Sequence, residues 1–552
     1  MIPARLIPKS IQCLRGYDAR TFLSDLVAGV TVGLVALPLA MAFAISSGLP
    51  PQAGLTCAVV AGFLISALGG SRVQIGGPTG AFVVVVAGIV AHHGVDGLFM
   101  CTMMAGVMLV LLGVSGFGTA VDFIPRPVIV GFTNGIAVLI ASTQIRDFLG
   151  LRIPHASGEF VSRMREIGAA LPSWNPTALA LGAAALLVIV VMRIWVPRVP
   201  GTIVALIGGT AVAAGAAWSI ETIGSRFGGI PSGWPPLVVP QFRADLITPL
   251  LGPAVTVAML GAIESLLSAV VADRMTGDRH EPNTELVAQG VANIVSPLFG
   301  GLPATGAIAR TATNIRSGGR TPVAGMIHAL TVLGVLLFAA SLARFVPLCI
   351  LSAILFVVAW NMGDWAEIPE ILKLSAADIA VWVVTFLLTV FADLTVAVQA
   401  GMILAALLFI SRIAATTTVS RITTADIERD RRHSLQDKDL PHDVAIFRIH
   451  GPFLFGAAEK LNVIIDQIPE LPERVILRLR NMTAIDSTGL RAIEQLAARL
   501  EASGRALIVE GMREQPARLM RRAQFAKHVG PDNVCDDIQG ALARVAALRH
   551  PA

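Results

Sequence analysis

The chain has 552 residues, 54% apolar and only 14% charged, with a mean hydropathy of +0.72, whereas a soluble protein carries about 25% charged residues. Residues 1–412 hold 41 of the 79 charged side chains and residues 413–552 the other 38, which predicts a membrane domain followed by a soluble one, divided near Arg412. The net charge of +5 comes largely from arginines between apolar runs, and with a single tyrosine and no basic stripe interleaved with aromatics the chain gives no footprint for nucleic acid.

Residues 1–22 form the first expected unit. Arg5, Lys9, Arg15 and Arg20 surround no apolar core, so no cleavable signal peptide is expected, and the basic start favours a cytoplasmic N-terminus. A spanning helix needs about 20 apolar residues, fewer where it is broken inside the protein. On that measure residues 23–412 hold about fourteen segments, near 26–45, 53–69, 79–92, 97–118, 127–148, 176–193, 201–219, 253–272, 285–299, 306–316, 321–342, 345–361, 376–392 and 395–411. The even count returns the chain to the cytoplasm. Arg72, Arg126, Arg193, Arg198, Arg274, Arg279, Arg316, Arg320 and Lys373 then fall in cytoplasmic loops, while the outer loops around 149–175 and 220–252 carry mixed charge. Cys13, Cys57, Cys101, Cys349 and Cys535 have no metal-ligand spacing and read as free thiols.

Residues 413–440 read as a polar, charged linker. From 441 to 552 the pattern becomes that of a small α/β domain, with strands at 443–449, 474–480 and 505–511 and helices near 457–468, 488–502 and 513–524. It carries no glycine-rich phosphate loop, metal cluster or nucleophile constellation.

Two strings interrupt the apolar runs: GGPTGAF at 76–82 and GGLPATGAI at 300–308. Each gives two glycines, a proline, a threonine, then glycine, alanine and a bulky apolar residue, and each opens a short apolar segment. Proline suits the first turn of a helix, where its missing N–H would be unpaired anyway, and the glycines let the backbone arrive extended and open to close approach. A helix start in mid-membrane offers unsatisfied donors and the positive end of the dipole to an anion. Lying in segments three and ten, the strings fit discontinuous helices in matching positions of a seven-plus-seven inverted repeat.

Few charges lie inside the segments, and intramembrane ionisable groups are functional candidates by default. Arg310, just over a turn past the second string, adds positive charge beside the expected anion site. Glu264, inside segment eight, is the coupling candidate, exchanging a proton or accepting a sodium ion, with Ser268 one turn on as a hydroxyl ligand. A structural Glu264–Arg310 ion pair is the competing reading. Asp25 and Asp393 read as caps or interface groups, His92 and His93 as solvated outer residues, and Asn134, Gln144 and Asn293 as helix-pairing groups. Pro38 is expected to break or kink the first segment.

Several stretches resemble the SulP anion transporters, solute-carrier anion exchangers with a C-terminal STAS domain: DLVAGVTVGLVALPLAMAFAISSGLPPQAGL (25–55), GGPTGAFVVV (76–85), GAIESLLSAVVADRMTG (261–277), NTELVAQGVANIVSPLFGGLPATGAIARTATNIRSGGRTPVAG (283–325) and AIDSTGL (484–490). The resemblance implies an α-helical polytopic fold of about fourteen spans, with nucleobase-permease-like core and gate bundles and a cytoplasmic α/β STAS domain. It also implies a homodimer in a bacterial inner (plasma) membrane, with both termini cytoplasmic and the core moving against the gate. The implied anion site is Pro78, Thr79, Gly80 and Ala81 with Gly306, Ala307 and Ile308, and Arg310 nearby. Glu264 falls on the family's acidic position. Sodium-coupled bicarbonate members have Asp there, Thr one turn on, and Thr where Ile308 stands. The departures at Glu264, Ser268 and Ile308 favour proton-coupled carriage of a C4-dicarboxylate or sulfate over sodium–bicarbonate transport. Free-standing STAS domains are phosphorylated on Ser or Thr at a helix start, which maps to Ser487 or Thr488. An N-cap role for the helix beginning near 489 is the alternative, and a cytoplasmic partner of this domain is a further expectation. No cofactor beyond H⁺ or Na⁺ is expected, and no enzyme activity. A passive anion channel, a neutral nucleobase permease and a membrane anchor for the tail are the competing classes, and Arg310 counts against the permease.

Overall fold

A chain in lipid satisfies its backbone only within helices or closed barrels, and the long apolar runs are helical. The computed structural model describes residues 6–118, 125–153, 159–196, 199–216, 218–238, 241, 243–392, 394–422 and 443–549. Apart from turns of four or five residues, the α-helices up to Thr416 are α1 (Ala19–Ser46), α2 (Pro51–Leu68), α3 (Phe82–Val114), α4 (Arg126–Leu149), α5 (Phe160–Ala170), α6 (Pro176–Trp195), α7 (Gly201–Gly215), α8 (Ile247–Thr276), α9 (Pro282–Val295), α10 (Ile308–Arg316), α11 (Pro322–Phe338), α12 (Leu348–Met362), α13 (Ala376–Phe391) and α14 (Leu394–Thr416). Eight helical stretches among the described residues are long and apolar enough to cross a membrane. Each expected segment contains a helix, but the third and fourth share α3, which bends at Gly94 with φ 70° and ψ −173°. Glycine reaches that backbone region without the Cβ clash other residues meet. Pro38 does not break α1, which runs through it. The amphipathic α5, with Arg163 and Ile167 buried, has no counterpart among the expected segments.

Contacts between helices fall into two groups. α11 lies against α1 and α2, and α3 against α8 and α9, while α4 lies against α12 and α13, and α6 against α7 and α12. Phe338, Trp195, Ile207 and Phe409 stand exposed on helix surfaces, as lipid-facing side chains do. Asp25 is fully buried and joins the chain's start to α11: it accepts from Tyr17 Oη at 3.1 Å, Arg320 N at 2.7 Å, Thr321 N at 3.2 Å and the Thr321 hydroxyl. Burial and the Asp25 carboxylate push the Tyr17 phenol up to about 12, so it stays a donor. Asp393 lies outside the described residues.

The chain divides into two units, Met1–Ile403 and Leu404–Ala552. In the second, a five-stranded sheet has the order β3 (Thr418–Arg421), β4 (Val444–Phe453), β5 (Arg474–Ile485), β6 (Ala506–Glu510) and β7 (Val534–Cys535), numbered after two short strands of the first unit. It is parallel except for β3, which pairs antiparallel with β4. The start of the expected linker is therefore structured: α14 continues to Thr416, and the β-branched residues after it form an edge strand. Successive strand residues face opposite sides. Phe447, Leu477 and Val509 join the core with Leu490, Ile493 and Leu496 of α15 (Ser487–Ala502), and Met520 of α16 (Glu514–Arg522) packs there too. Ile446, Ile476 and Ile508 meet Ile538, Ala541 and Val545 of α17 (Ile538–Arg549), a helix the sequence reading did not include. The helix expected over 457–468 is instead a 3₁₀ run, Phe455–Leu461, and one α-turn, Asn462–Ile465. Arg478 and Glu510 form a buried ion pair across β5 and β6.

Candidate anion site at a strand crossing

The two strings meet. Gly76–Gly77 is a two-residue strand, β1, antiparallel to Thr305–Gly306, β2, with Gly76 opposite Gly306 and Gly77 opposite Thr305. α3 and α10 start just beyond this crossing, with Ala81 and Ala307 as their N-cap residues. Pro78 is therefore not in the first turn of its helix. It follows β1 by one residue, because the backbone stays extended to complete the pairing before the helix begins. Gly306 sits in close approach: a Cβ there would lie 1.7 Å from Gln74 Nε2, so a larger residue would have to displace the buried Gln74 amide from Ser265.

Side chains cross-link the strings. Arg310, in the first turn of α10 and 3% exposed, donates from Nη2 to the Pro78 carbonyl. Thr79 Oγ1 donates to Glu264 Oε2 at 2.8 Å, tying the first string to α8. Glu264 is half-buried. Among the described residues no ion pair within 4.0 Å joins Glu264 and Arg310, so the competing reading of a structural ion pair between them is not what the structure shows; Glu264 bonds Thr79 and Arg310 the Pro78 carbonyl. Gly80 and Ala81 are buried beside Thr79, Gly306 and Ala307 are buried in the second string, and Ile308 is 43% exposed. The crossing thus collects two helix starts, whose first-turn N–H groups lack intrahelical acceptors, and a guanidinium bonded to a carbonyl. That is the chemistry of an anion site.

Ser268 does not extend the Glu264 pair. Its hydroxyl donates to Thr311 Oγ1 at 3.2 Å, which also accepts from Ile75 N at 3.0 Å, so Ser268 positions α10. Other residues the sequence reading did not single out build the crossing. Gln74 Nε2 donates to Ser265 Oγ at 2.9 Å, and Ser265 Oγ to Glu285 Oε1 at 3.0 Å. Glu285, fully buried, also accepts from Gly70 N at 2.9 Å and Gln289 Nε2 at 2.8 Å. Thr305 Oγ1 donates to the Gly261 carbonyl at 2.8 Å. Asn293, read as a helix-pairing group, exchanges two 2.8 Å bonds with the Ala304 backbone and so steers the chain into β2. Each is polar within a run where unpaired polar groups are costly, which is the sequence signal available. Gln144 reaches Ser46 Oγ at 3.1 Å, linking α4 and α1. Both amide atoms of Asn134 are buried without a partner. His92 and His93 are exposed or half-buried.

In the second unit Ser487 and Thr488 are both exposed in the first turn of α15, but neither caps it. Asp486 is the N-cap, accepting from Gly489 N at 2.8 Å and from Phe455 N at 3.0 Å. Among the described residues no group of three His, Cys, Asp or Glu side chains could hold a metal ion.

Residues 22–385 match the sulfate permease family and residues 437–541 the STAS domain. YvdB of Bacillus subtilis (strain 168), provisionally named a sulfate transporter, is 40% identical over 95% of this chain and 97% of its own. The bicarbonate transporter BicA of Synechocystis is 33% identical over 95% of this chain and 94% of its own. Among solved structures, the transmembrane domain of a cyanobacterial bicarbonate transporter BicA is 34% identical, with a TM-score of 0.63, covering 69% of this chain and 98% of that one. The murine solute carrier 26 family member A9, an anion transporter in the inward-facing state, shares the fold at 19% identity with a TM-score of 0.87, covering 98% of this chain and 94% of that one.

Proposed function

Because this chain belongs to the sulfate permease family and carries a STAS domain, we propose that it is a secondary active transporter of a small anion, with a C4-dicarboxylate or sulfate as substrate. The relatives are named transporters, not enzymes, for sulfate and for bicarbonate. One observation carries the reading: two helix starts are held together by β1–β2 pairing, with a buried arginine bonded across it. Pro78, Thr79, Gly80 and Ala81 with Gly306, Ala307 and Ile308 line the site, and Arg310 supplies its charge. Glu264, bonded to Thr79, reports the site's state to a coupling proton. α1–α3 and α8–α11 form the moving core and the remaining membrane helices the gate, in a homodimer in the bacterial plasma membrane with both termini cytoplasmic. The STAS domain docks a cytoplasmic partner or stabilises the dimer, and Ser487 or Thr488, left free by the Asp486 cap, takes a phosphate.

The test is uptake of labelled sulfate or succinate into liposomes under an imposed inward proton gradient, challenged with fumarate, bicarbonate, nitrate and chloride. Accumulation above equilibrium that Glu264→Gln removes supports proton coupling, whereas flux that stays purely downhill in both proteins under proton and sodium gradients alike makes transport passive. The bicarbonate relatives favour a second reading, sodium-coupled bicarbonate transport, which predicts that sodium and not protons drives uptake.

A further inference from the structure

At the end of α1 remote from Asp25, two cavities open beside Arg146. One, of about 410 Å³, is bounded by Arg146, Asp147, Arg152, Asn175 and Glu221. The other, of about 300 Å³, is bounded by Ser46, Ala87, Ala91, Arg146, Arg163 and Arg226. Arg146 and Asp147 border both. Two of the three carboxylates at the cavities are held by one guanidinium: Arg226 donates to both oxygens of Asp147 at 3.1 and 2.7 Å and to Glu221 at 2.6 and 2.5 Å, while the third, Glu166, borders the second cavity beside Arg163. Burial pushes the Glu221 carboxyl up, yet the Arg226 guanidinium outweighs it and holds the group below the usual carboxylate range. Arg163 donates to Ser142 Oγ at 2.9 Å. Arg146 differs: its Nε is buried without a hydrogen-bond partner, and Asp147 Oδ1 stands 3.8 Å away. A guanidinium presents five donors in a fork that matches an oxyanion.

The second cavity follows the helix that leaves the crossing. Ala87 and Ala91 lie five and nine residues beyond Phe82, about 8 and 14 Å along α3 at 1.5 Å per residue. We propose that Arg146 is the centre of a second anion subsite, which captures a compact oxyanion at the membrane face away from the N-terminal segment and feeds it along α3 to the crossing. The subsite rests on the transport reading above and adds a station to it. Around the two cavities four arginines, Arg146, Arg152, Arg163 and Arg226, face three carboxylates, Asp147, Glu166 and Glu221, so the lining keeps one net positive charge for the incoming anion, with Arg226 holding Asp147 and Glu221.

Two readouts test it, one of them independent of transport. Ala91 is exposed at the cavity wall, so Ala91→Cys in intact cells is labelled with a membrane-impermeant thiol reagent in the presence of sodium sulfate. Sulfate is expected to slow labelling, and Arg146→Gln to abolish the protection while Arg146→Lys keeps part of it. Equal protection with and without Arg146, or none in either, overturns the subsite. In sided transport, Arg146→Gln is expected to raise the external KM about tenfold, the scale of one lost charge-assisted hydrogen bond, and more than it raises the KM for efflux. Equal shifts on the two sides overturn the capture role. If the wild-type protein moves no anion, yet sulfate protects the thiol of Ala91→Cys through Arg146, the transport reading falls and the subsite stands.

Discussion

Arg310 and Glu264 both sit at the crossing, yet they do different work because they bond to different things. Arg310 is bonded to a backbone carbonyl, so among the described residues no carboxylate ties up its charge, and it remains available to an anion. Arg310→Ala is expected to lower kcat/KM for anion uptake at least a hundredfold with the protein still folded, checked by uptake and by melting of the purified protein. Glu264 accepts from Thr79, so a proton on the carboxyl alters how the first string is held. Glu264→Gln is expected to abolish accumulation driven by a pH gradient while leaving anion exchange at equal pH measurable by counterflow. Gly306 shows a limit set by geometry alone. Gly306→Ala places a methyl on Gln74 Nε2, and overpacking of this kind costs about 1–3 kcal/mol, read as a lower melting temperature together with lost uptake.

At the scale of elements, a two-residue pairing is too short to hold itself, and its support comes from side chains. Asn293 supplies the hydrogen bonds that a neighbouring strand would have given Ala304. Asn293→Ala leaves a buried N–H and C=O unpaired at about 1–3 kcal/mol, and the loss is expected as a drop in thermal stability that Asn293→Asp does not repair, since Asp lacks the N–H donor. In the α/β unit, Asp486 both caps α15 and holds Phe455 N. Glu510→Ala removes the carboxylate of the buried pair with Arg478, and breaking a buried pair from one side costs about 3–5 kcal/mol, measurable as early unfolding of that unit under denaturant. Much of this level was legible. The apolar runs fixed where helices fall because lipid leaves the backbone few alternatives, and the repeated string pointed to the crossing. What stayed hidden has physical causes. Proline's preference for first turns points Pro78 into a helix, but the pairing of β1 with β2 links residues more than two hundred positions apart and no local preference encodes it. Ser268 was set beside Glu264 by helical spacing, whereas the packing of α10 turned its hydroxyl to Thr311. α17 has a weak sequence signal because its buried face is only Ile538, Ala541 and Val545.

For the whole molecule, membership of the sulfate permease family agrees with the chemistry collected at the crossing, and the motion proposed above would run between the two helix groups. The proposed site lies where groups from both halves of the chain converge, and Thr79 links the first string to Glu264, so on that proposal a small shift of α3 would reach Glu264. Everything proposed for transport depends on whether that crossing binds the anion through Arg310 and the two helix starts. The most direct measurement is sulfate and succinate uptake into proteoliposomes under a proton gradient, comparing wild type with Arg310→Ala at matched protein incorporation. Saturable, concentrative uptake by the wild type is expected, and the variant is expected to lose it for every competing anion tested. Uptake by Arg310→Ala at the wild-type rate and affinity would contradict the anion site at the crossing.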